Sequence, residues 1–247
     1  MHRRRIWFGL GLGIPLALTA ALVLWGSTPL GPDPTAVAAL ASDAVVSVEI
    51  GRVAALQPVG QEPKTGLVLY PGGRVDFRSY APLARAIAAQ GYLVVIPRMP
   101  LNLAVLAPER ATEIIEGYPE IEAWAVGGHS LGGAMAARYA SVHLDRVEGL
   151  VLWASYPADA NSLAGRSDLA VVSVYGTLDG LTEGDEIAAS RALLPASTRW
   201  VEIEGGNHAQ FGWYGAQKGD LLASISHEEQ QRIAVEAAVA LLEELSQ

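Results

Sequence analysis

The segment Gly128-His129-Ser130-Leu131-Gly132-Gly133 constrains the fold of this chain more than any other feature. It lies between an apolar run, residues 124–126, that predicts a β-strand and an alanine-rich stretch, residues 132–142, that predicts a helix. The pattern Gly-x-Ser-x-Gly at such a junction is typical of a tight turn that holds the serine above the carboxyl end of a sheet. Glycines are needed there because larger side chains would clash. The segment therefore predicts an α/β sheet with Ser130 at its edge.

Short β-branched runs alternate with helical segments from residue 45 onward, which indicates a mostly parallel sheet with helices on both faces. The predicted strands are Val45–Ile50, Val53–Pro58, Leu67–Tyr70, Leu93–Ile96, Trp124–Val126, Gly149–Trp153, Ala170–Tyr175 and Arg199–Ile203. The predicted helices are Tyr80–Gln90, Pro108–Gly117, Gly132–Val142, Glu186–Leu194 and Ser226–Leu245. The first two strands form a hairpin, and residues 154–169 are too few for a lid. We expect one α/β domain, residues 45–247, with eight strands and no cap.

An uncharged run, residues 6–26, follows three arginines at positions 3–5. A helix of this length can cross a bilayer at about 1.5 Å per residue. The run ends at Trp25, which is typical of a membrane interface, and has no good cleavage site. We predict a cytoplasmic stub and signal anchor in residues 1–26, followed by a stalk and lead-in in residues 27–44. The domain would then lie on the extracytoplasmic side of the cell membrane, or be secreted if the segment is a cleaved signal peptide.

Charge and cysteine content exclude several classes of partner and site. The chain has 17 basic and 26 acidic residues, a net charge of −9. Such a surface repels phosphate backbones, so we expect no nucleic-acid partner. The chain has no cysteine, which excludes disulfides, thiolate metal sites and a cysteine nucleophile.

Ser130 is the candidate nucleophile, and a serine hydroxyl needs a base to react at neutral pH. With this kind of turn, the chain order is serine, then acid, then histidine. Two histidines come late enough. His227 opens the closing helix among glutamates and fits a solvated surface residue. His208 lies in a loop of small residues directly after the last strand, so we predict His208 as the base.

Asp179 is the candidate acid, because it follows the seventh strand in Gly176-Thr177-Leu178-Asp179-Gly180. Its carboxylate would accept a hydrogen bond from the imidazole and stabilise the imidazolium. Asp-Gly is also an ordinary turn dipeptide. Asp159, after the sixth strand, is the reserve candidate, whereas Asp168 and Glu183 fit solvated loop residues.

A tetrahedral oxyanion needs two preorganised donors. One is expected from the backbone N–H of Leu131, the residue after the nucleophile. The other is expected from the loop Tyr70-Pro71-Gly72-Gly73-Arg74-Val75-Asp76 after the third strand. Either Gly73 or Arg74 is predicted to supply it, although a plain strand-to-helix turn would have the same sequence.

With its motifs in this order, the chain resembles the α/β-hydrolase superfamily. The resemblance covers essentially all of the chain after residue 45. The chain is most similar to small, lidless, dienelactone-hydrolase-like and esterase-like members. Their motifs occur here as Pro71-Gly72-Gly73, Gly128 to Gly133, Gly176 to Gly180 and Gly205 to His208. Dienelactone hydrolases use a cysteine nucleophile, so their substrate does not carry over to this chain. The resemblance implies hydrolysis of an ester, thioester or related acyl bond of a small molecule through an acyl-enzyme intermediate, with no cofactor and no metal.

Two apolar segments are candidates for lining the substrate pocket. Met99 and Leu103 follow the fourth strand, and Phe211 and Trp213 follow His208; such residues suit an apolar acyl or alcohol group. Ordinary core packing explains each of them equally well. The alternatives to an esterase are other acyl-transfer chemistry, such as a thioesterase, lactonase or perhydrolase, and a non-catalytic surface binding protein on the same fold.

Overall fold

The computed structural model describes residues 18–247. Its strands are β1 (Val46–Ile50), β2 (Val53–Pro58), β3 (Thr65–Tyr70), β4 (Leu93–Pro97), β5 (Ala123–His129), β6 (Gly149–Trp153), β7 (Ala170–Gly176) and β8 (Arg199–Ile203). They form one sheet in the order β1-β2-β4-β3-β5-β6-β7-β8. Strand β2 runs antiparallel to β1 and β4, and all other neighbouring pairs are parallel. The predicted eight-stranded, mostly parallel sheet is therefore confirmed.

The helices are α1 (Pro34–Ala38), α2 (Ala81–Ala88), α3 (Arg110–Gly117), α4 (Leu131–Val142), α5 (Gly184–Ser190) and α6 (His227–Leu245). The five predicted helices are all present, with ends that differ by a few residues. Helix α1 was not predicted. It begins at an N-cap aspartate, Asp33, whose side chain accepts a hydrogen bond from the Ala36 N–H, and proline occupies its first turn. Asp33-Pro34 is thus a helix-start signal that sequence reasoning assigned to the stalk.

Two hydrophobic layers enclose the sheet. Alternate residues of β3 point to opposite faces: Leu67 and Leu69 pack with α2 and α6, whereas Val68 and Tyr70 pack with α3 and α4. Parallel strands covered by helices on both faces are continuously apolar, and β3 to β6 are buried along their whole length. The loops at the carboxyl ends of these strands are consequently held on a rigid base.

The connection between β6 and β7 determines whether a cap covers the carboxyl ends of the strands. Residues 154–169 contain a single short 3₁₀ turn, Asp159–Asn161. No cap domain covers the sheet within residues 18–247, as the length of this loop predicts.

The predicted stub and most of the predicted anchor, residues 1–17, lie outside the described residues. Residues 18–26 are helical, and the large apolar side chains there are exposed. Across the part of the chain that the structure describes, no helix is both long and apolar enough to span a membrane.

The segment predicted as a stalk contacts the domain. Arg74 donates hydrogen bonds to the carbonyl oxygens of Trp25 (2.9 Å) and Thr28 (2.7 Å), and its guanidinium lies 4.4 Å from the centre of the Trp25 ring. Leu30 forms a bridge with Val75. The last carbonyl groups of a helix lack partners within it, so a cation at this end stabilises helical residues 18–26. The segment therefore lies against the loop after β3.

Candidate active site

Ser130 lies at the turn between β5 and α4 in a conformation that only glycine adopts easily, with φ 52° and ψ −126°. Its N–H donates to the carbonyl oxygen of Trp153 at 3.0 Å. Its own carbonyl oxygen accepts a hydrogen bond of 2.7 Å from the Ser155 hydroxyl. Strained backbone persists where the surroundings over-determine it, and here β6 and the loop after it fix both sides of the residue. The predicted tight turn is confirmed.

The glycines of this turn allow three backbone segments to meet. A Cβ atom at Gly128 would come within 2.5 Å of the carbonyl carbon of Gly132. A Cβ atom at Gly132 would overlap the carbonyl oxygens of Tyr70 and Pro71 at the end of β3. Because Gly132 has no side chain, the first turn of α4 lies directly against the loop from which the second oxyanion donor is expected.

Asp179 and His208 form a buried pair, as the sequence predicts. Nδ1 of His208 lies 2.9 Å from Oδ2 and 3.1 Å from Oδ1 of Asp179, and each side chain is only 1% exposed. The carboxylate also accepts the backbone N–H groups of Leu181 (2.8 Å) and Thr182 (2.7 Å). These bonds orient the carboxylate towards Nδ1 of His208, where it favours the imidazole proton. Nε2 is then free to accept a proton from another group.

The ring of His208 lies beside the serine turn. Its centroid is 4.4 Å from that of His129, the residue before Ser130. Nε2 of His208 is buried and has no hydrogen-bond partner within residues 18–247, so it is not hydrogen-bonded to the Ser130 hydroxyl. In structures without substrate such catalytic hydrogen bonds are often long and tighten when substrate binds. The geometry gives His208 an unoccupied basic nitrogen next to the candidate nucleophile.

A second imidazole, His129, is completely buried beneath the site. The Tyr80 hydroxyl accepts the N–H of Gly72 (2.9 Å) and lies 2.8 Å from Nδ1 of His129. Burial, with a contribution from the neighbouring His208, lowers the pKa of His129 well below its ordinary value, and burial raises the pKa of Tyr80. Both groups are therefore neutral. Tyr80 and Nδ1 of His129 share one hydrogen bond, whose direction depends on the imidazole tautomer.

The loop after β3 distinguishes the two candidate oxyanion donors. The N–H of Arg74 is already bonded to the carbonyl oxygen of Asn102 at 2.7 Å. Among the described residues, no acceptor takes up the N–H of Gly73 or of Leu131. A Cβ atom at Gly73 would lie 3.2 Å from Cδ2 of Leu131, so these two residues are neighbours. The N–H groups of Gly73 and Leu131 thus remain available to donate to an oxyanion. Arg74 instead binds the N-terminal segment through its side chain.

Sequence reasoning missed Asp220, which lies in the loop between β8 and α6. Its Oδ1 accepts the N–H groups of Gly180 (3.1 Å) and His208 (3.2 Å), and its Oδ2 accepts that of Ala209 (2.8 Å). Gly180 follows Asp179 in the chain. One carboxylate therefore ties the turn that carries the candidate acid to the loop that carries the candidate base. No motif marks Asp220 in the sequence, because its partners are in separate loops.

The other acidic candidates lie elsewhere. Asp159 is exposed in the short turn after β6 and has no bond to His208. Asp168 pairs with Arg166 at 2.8 Å, and Glu183 caps the start of α5. Of the acids weighed from the sequence, Asp179 is the one that the structure brings to His208.

The candidate pocket residues do not form one pocket. Leu103 lies 4.0 Å from the position of a Cβ atom at Gly73, beside the oxyanion loop. Phe211 is fully buried, and its ring stacks on that of His129 with 5.8 Å between centroids. It therefore packs behind the site and does not line a substrate pocket. Met99 is buried and lines a different cleft, at the end of β4.

Trp213 lies outside the site as well. Its ring stacks on His227 at 3.7 Å between centroids with an interplanar angle of 6°. His227, expected as a solvated surface residue, is half-buried, because the indole covers one face of the imidazole, and burial lowers its pKa. Trp213 also lines a groove between α2 and α6.

Comparisons with known proteins identify solved structures of similar fold. The structure is similar to that of a dienelactone hydrolase-like promiscuous phosphotriesterase from metagenomic libraries, with a TM-score of 0.59 and 17% identity over 78% of this chain and 92% of that one. It is also similar to a Klebsiella pneumoniae protein assigned as a dienelactone hydrolase (TM-score 0.58, 15% identity, 77% and 92% covered). A third similar structure is Est1E from Butyrivibrio proteoclasticus (TM-score 0.58, 11% identity, 81% and 100% covered).

At these identities the structural likeness shows the fold alone. No curated protein matches the sequence. The alpha/beta hydrolase family matches residues 66–232, which is more than half of the chain. With the sheet order and the Ser130 turn described above, this match shows that the chain belongs to the alpha/beta hydrolase family and is a hydrolase of that type.

Proposed function

We propose that this protein is a serine hydrolase that cleaves a carboxylic ester or a related acyl bond. The observation that carries the proposal is the buried Asp179–His208 pair, which lies beside the strained turn of Ser130 and leaves Nε2 of His208 without a partner. A binding protein on the same fold has no need of a buried acid and base next to a half-buried serine.

In the proposed reaction, the Ser130 hydroxyl attacks the acyl carbon and its proton passes to Nε2 of His208. Asp179 stabilises the imidazolium, and the N–H groups of Gly73 and Leu131 donate to the oxyanion. The tetrahedral intermediate then collapses: the bond to the leaving alcohol breaks, and His208 protonates that oxygen. Water attacks the acyl-enzyme in the same way, releasing the acid and restoring Ser130.

The full chain should hydrolyse short p-nitrophenyl esters, and a fluorophosphonate probe should label Ser130. Ser130→Ala and His208→Ala should lower kcat/KM on the order of 10⁴ to 10⁶-fold, because removing a member of such a triad disables the unit. Asp179→Asn should be severe but milder. The matched control is Asp159→Asn, which should leave kcat/KM within about twofold, since surface changes away from a site have small effects.

Two results would contradict this proposal. One is a folded protein that neither turns over esters nor labels at Ser130. The other is a larger loss for Asp159→Asn than for Asp179→Asn. Parallel assays with thioesters, lactones and peroxide as acyl acceptor test the alternative acyl-transfer reactions.

We also propose that residues 6–26 anchor the protein in the cell membrane with its catalytic domain on the extracytoplasmic side, or direct its secretion if they are cleaved. Supporting this are the uncharged run after three arginines and the exposed apolar side chains of residues 18–26. Sequencing the amino terminus of the mature protein, together with carbonate extraction of membranes, separates the two outcomes. Recovery of an uncleaved chain in the carbonate-soluble fraction would contradict both.

A further inference from the structure

A cationic cleft lies where the β1–β2 hairpin meets the loop after β4. Its volume is about 730 Å³, and Arg52, Arg98 and Arg110 are among its lining residues. We call it the arginine cleft. Its remaining lining residues are glycine, serine, asparagine, proline and apolar side chains, and no carboxylate is among them. It is separate from the candidate active site, whose Ser130 and His208 do not line it.

These arginines stand out because the chain is acidic, with 26 acidic and 17 basic residues. Most basic side chains of residues 18–247 pair with a carboxylate. Arg52 and Arg98 have no ion pair and no side-chain hydrogen bond within that range. They are also adjacent, since the N–H of Arg98 donates to the carbonyl oxygen of Arg52 at 3.0 Å. Two neighbouring cations with no counter-charge repel each other.

Arg110 lines the same cleft and is the third arginine there. One of its terminal nitrogens pairs with Glu113 at 2.8 Å, but its Nε is buried and has no hydrogen-bond partner among the described residues. A buried N–H without an acceptor is unfavourable. An anion with several oxygens would relieve the repulsion between Arg52 and Arg98.

We propose that the arginine cleft binds a phosphate group. The three guanidinium groups, one of them paired with Glu113, leave a net positive charge in the cleft. A phosphate group, as a monoester or a diester, carries negative charge and presents four oxygens around one centre, whereas a carboxylate presents two. The fork of donors on arginine fits phosphate oxygens in a bidentate manner. The cleft also has room for an organic group esterified to the phosphate, as its volume is within the range of small-molecule sites.

The wall of the cleft connects it to the N-terminal segment. Leu101 and Asn102 line it with φ angles of 50° and 54°. The Asn102 amide donates to the carbonyl oxygen of Gly26 at 2.8 Å, and its backbone carbonyl accepts the N–H of Arg74. A bound phosphate would therefore lie next to the end of helical residues 18–26. The phosphate could come from a lipid headgroup or from solution, and the two sources share the same chemistry.

Calorimetric titration of the full chain in detergent at low ionic strength tests the site. The probes are inorganic phosphate and glycerophosphoglycerol, the soluble diester of a lipid headgroup. We expect binding of at least one probe, with Kd raised about tenfold by Arg98→Gln and by Arg52→Gln, since each removes a charge-assisted hydrogen bond. Lys218→Gln is the matched control, because this lysine has no ion pair among the described residues and does not line the cleft; it should change Kd less than twofold.

Binding of the diester would identify a headgroup as the source, and binding of inorganic phosphate alone would identify free phosphate; both support the site. Absence of binding by either probe to the folded protein would overturn the proposal. So would an equal loss of affinity in Lys218→Gln, which would indicate a general charge effect. Arg52 and Arg98 are exposed, so both variants should unfold at the same temperature as the parent protein. If one variant misfolds, the Kd of the other variant still tests the site.

Discussion

Two aspartates beside His208 have different tasks in this site. Asp179 contacts the ring of His208. Among residues 18–247, the Asp220 carboxylate accepts hydrogen bonds only from backbone N–H groups, those of Gly180, His208 and Ala209 among them. A carboxylate that accepts several N–H bonds fixes the loops that supply them, because each bond limits where the backbone can move. Asp220 is therefore a positioning residue for the Asp179–His208 pair, and its effect on the reaction should be indirect.

Replacing Asp220 tests this role. Asp220→Ala should lower kcat for ester hydrolysis about 10 to 100-fold while KM changes less than threefold, since small misplacements of reacting groups cost about this much. Asp220→Asn keeps one acceptor oxygen and should recover part of the loss. Asp168→Ala, which removes a carboxylate paired with Arg166 away from the site, is the control. A rise in KM with unchanged kcat would show that Asp220 does not position the base.

Among the elements, the contact between α4 and the end of β3 does most to shape the site. The first turn of α4 touches the carbonyl oxygens of Tyr70 and Pro71 because Gly132 has no side chain. This contact places Leu131, at the start of the helix, next to Gly73 in the following loop. The positions of the two candidate oxyanion donors, Gly73 and Leu131, thus depend on how closely helix α4 approaches strand β3.

Gly132→Ala should disturb this approach. The added methyl overlaps backbone atoms that cannot turn away, so we expect a loss of about 1 to 3 kcal/mol in the free energy of unfolding, measured by urea denaturation. Gly117→Ala is the matched control, because a Cβ atom there meets nothing within 4 Å. It should leave stability unchanged or raise it by up to about 1 kcal/mol, because alanine favours helix more than glycine does. Equal effects of the two substitutions would show that the close contact is not required.

At the scale of the whole molecule, two imidazoles of residues 18–247 have pKa values below the ordinary 6.5, those of the fully buried His129 and the half-buried His227. Burial is the main cause for both. The unfolded chain can bind protons at these positions as the pH falls below about 6.5, whereas the folded protein resists binding them. Folding stability therefore decreases towards acid pH, and the contribution of both groups is fully present only above their unfolded pKa.

We expect the free energy of unfolding to fall between pH 7.5 and pH 5.5, with a slope of up to about 1.4 kcal/mol per pH unit for each such histidine. Urea unfolding of the full chain at pH 7.5, 6.5 and 5.5 measures this slope. His227→Gln should reduce the slope and leave the part that belongs to His129. Stability that is constant or rises towards pH 5.5 would contradict the burial of neutral imidazoles.

The sequence by itself determined the elements of the fold and the main candidates for the site. Strand and helix periodicity and the glycines of the serine turn are local signals, and they are sufficient for the eight strands. They also place Asp179 and His208 in loops at one edge of the sheet, because the carboxyl ends of parallel strands share an edge. The missed helix α1 had a local signal too, in Asp33-Pro34.

Only the tertiary structure decided how distant segments meet. It showed that the N–H of Arg74 is occupied by Asn102, that residues 27–44 contact the domain, and that Asp220 joins two separate loops. It also separated Met99 and Trp213 from the site and brought Arg52 beside Arg98. The physical reason is the same throughout. Hydrogen bonds and charge contacts between loops follow from the packing of the elements that carry them, and they leave no periodic pattern in the chain.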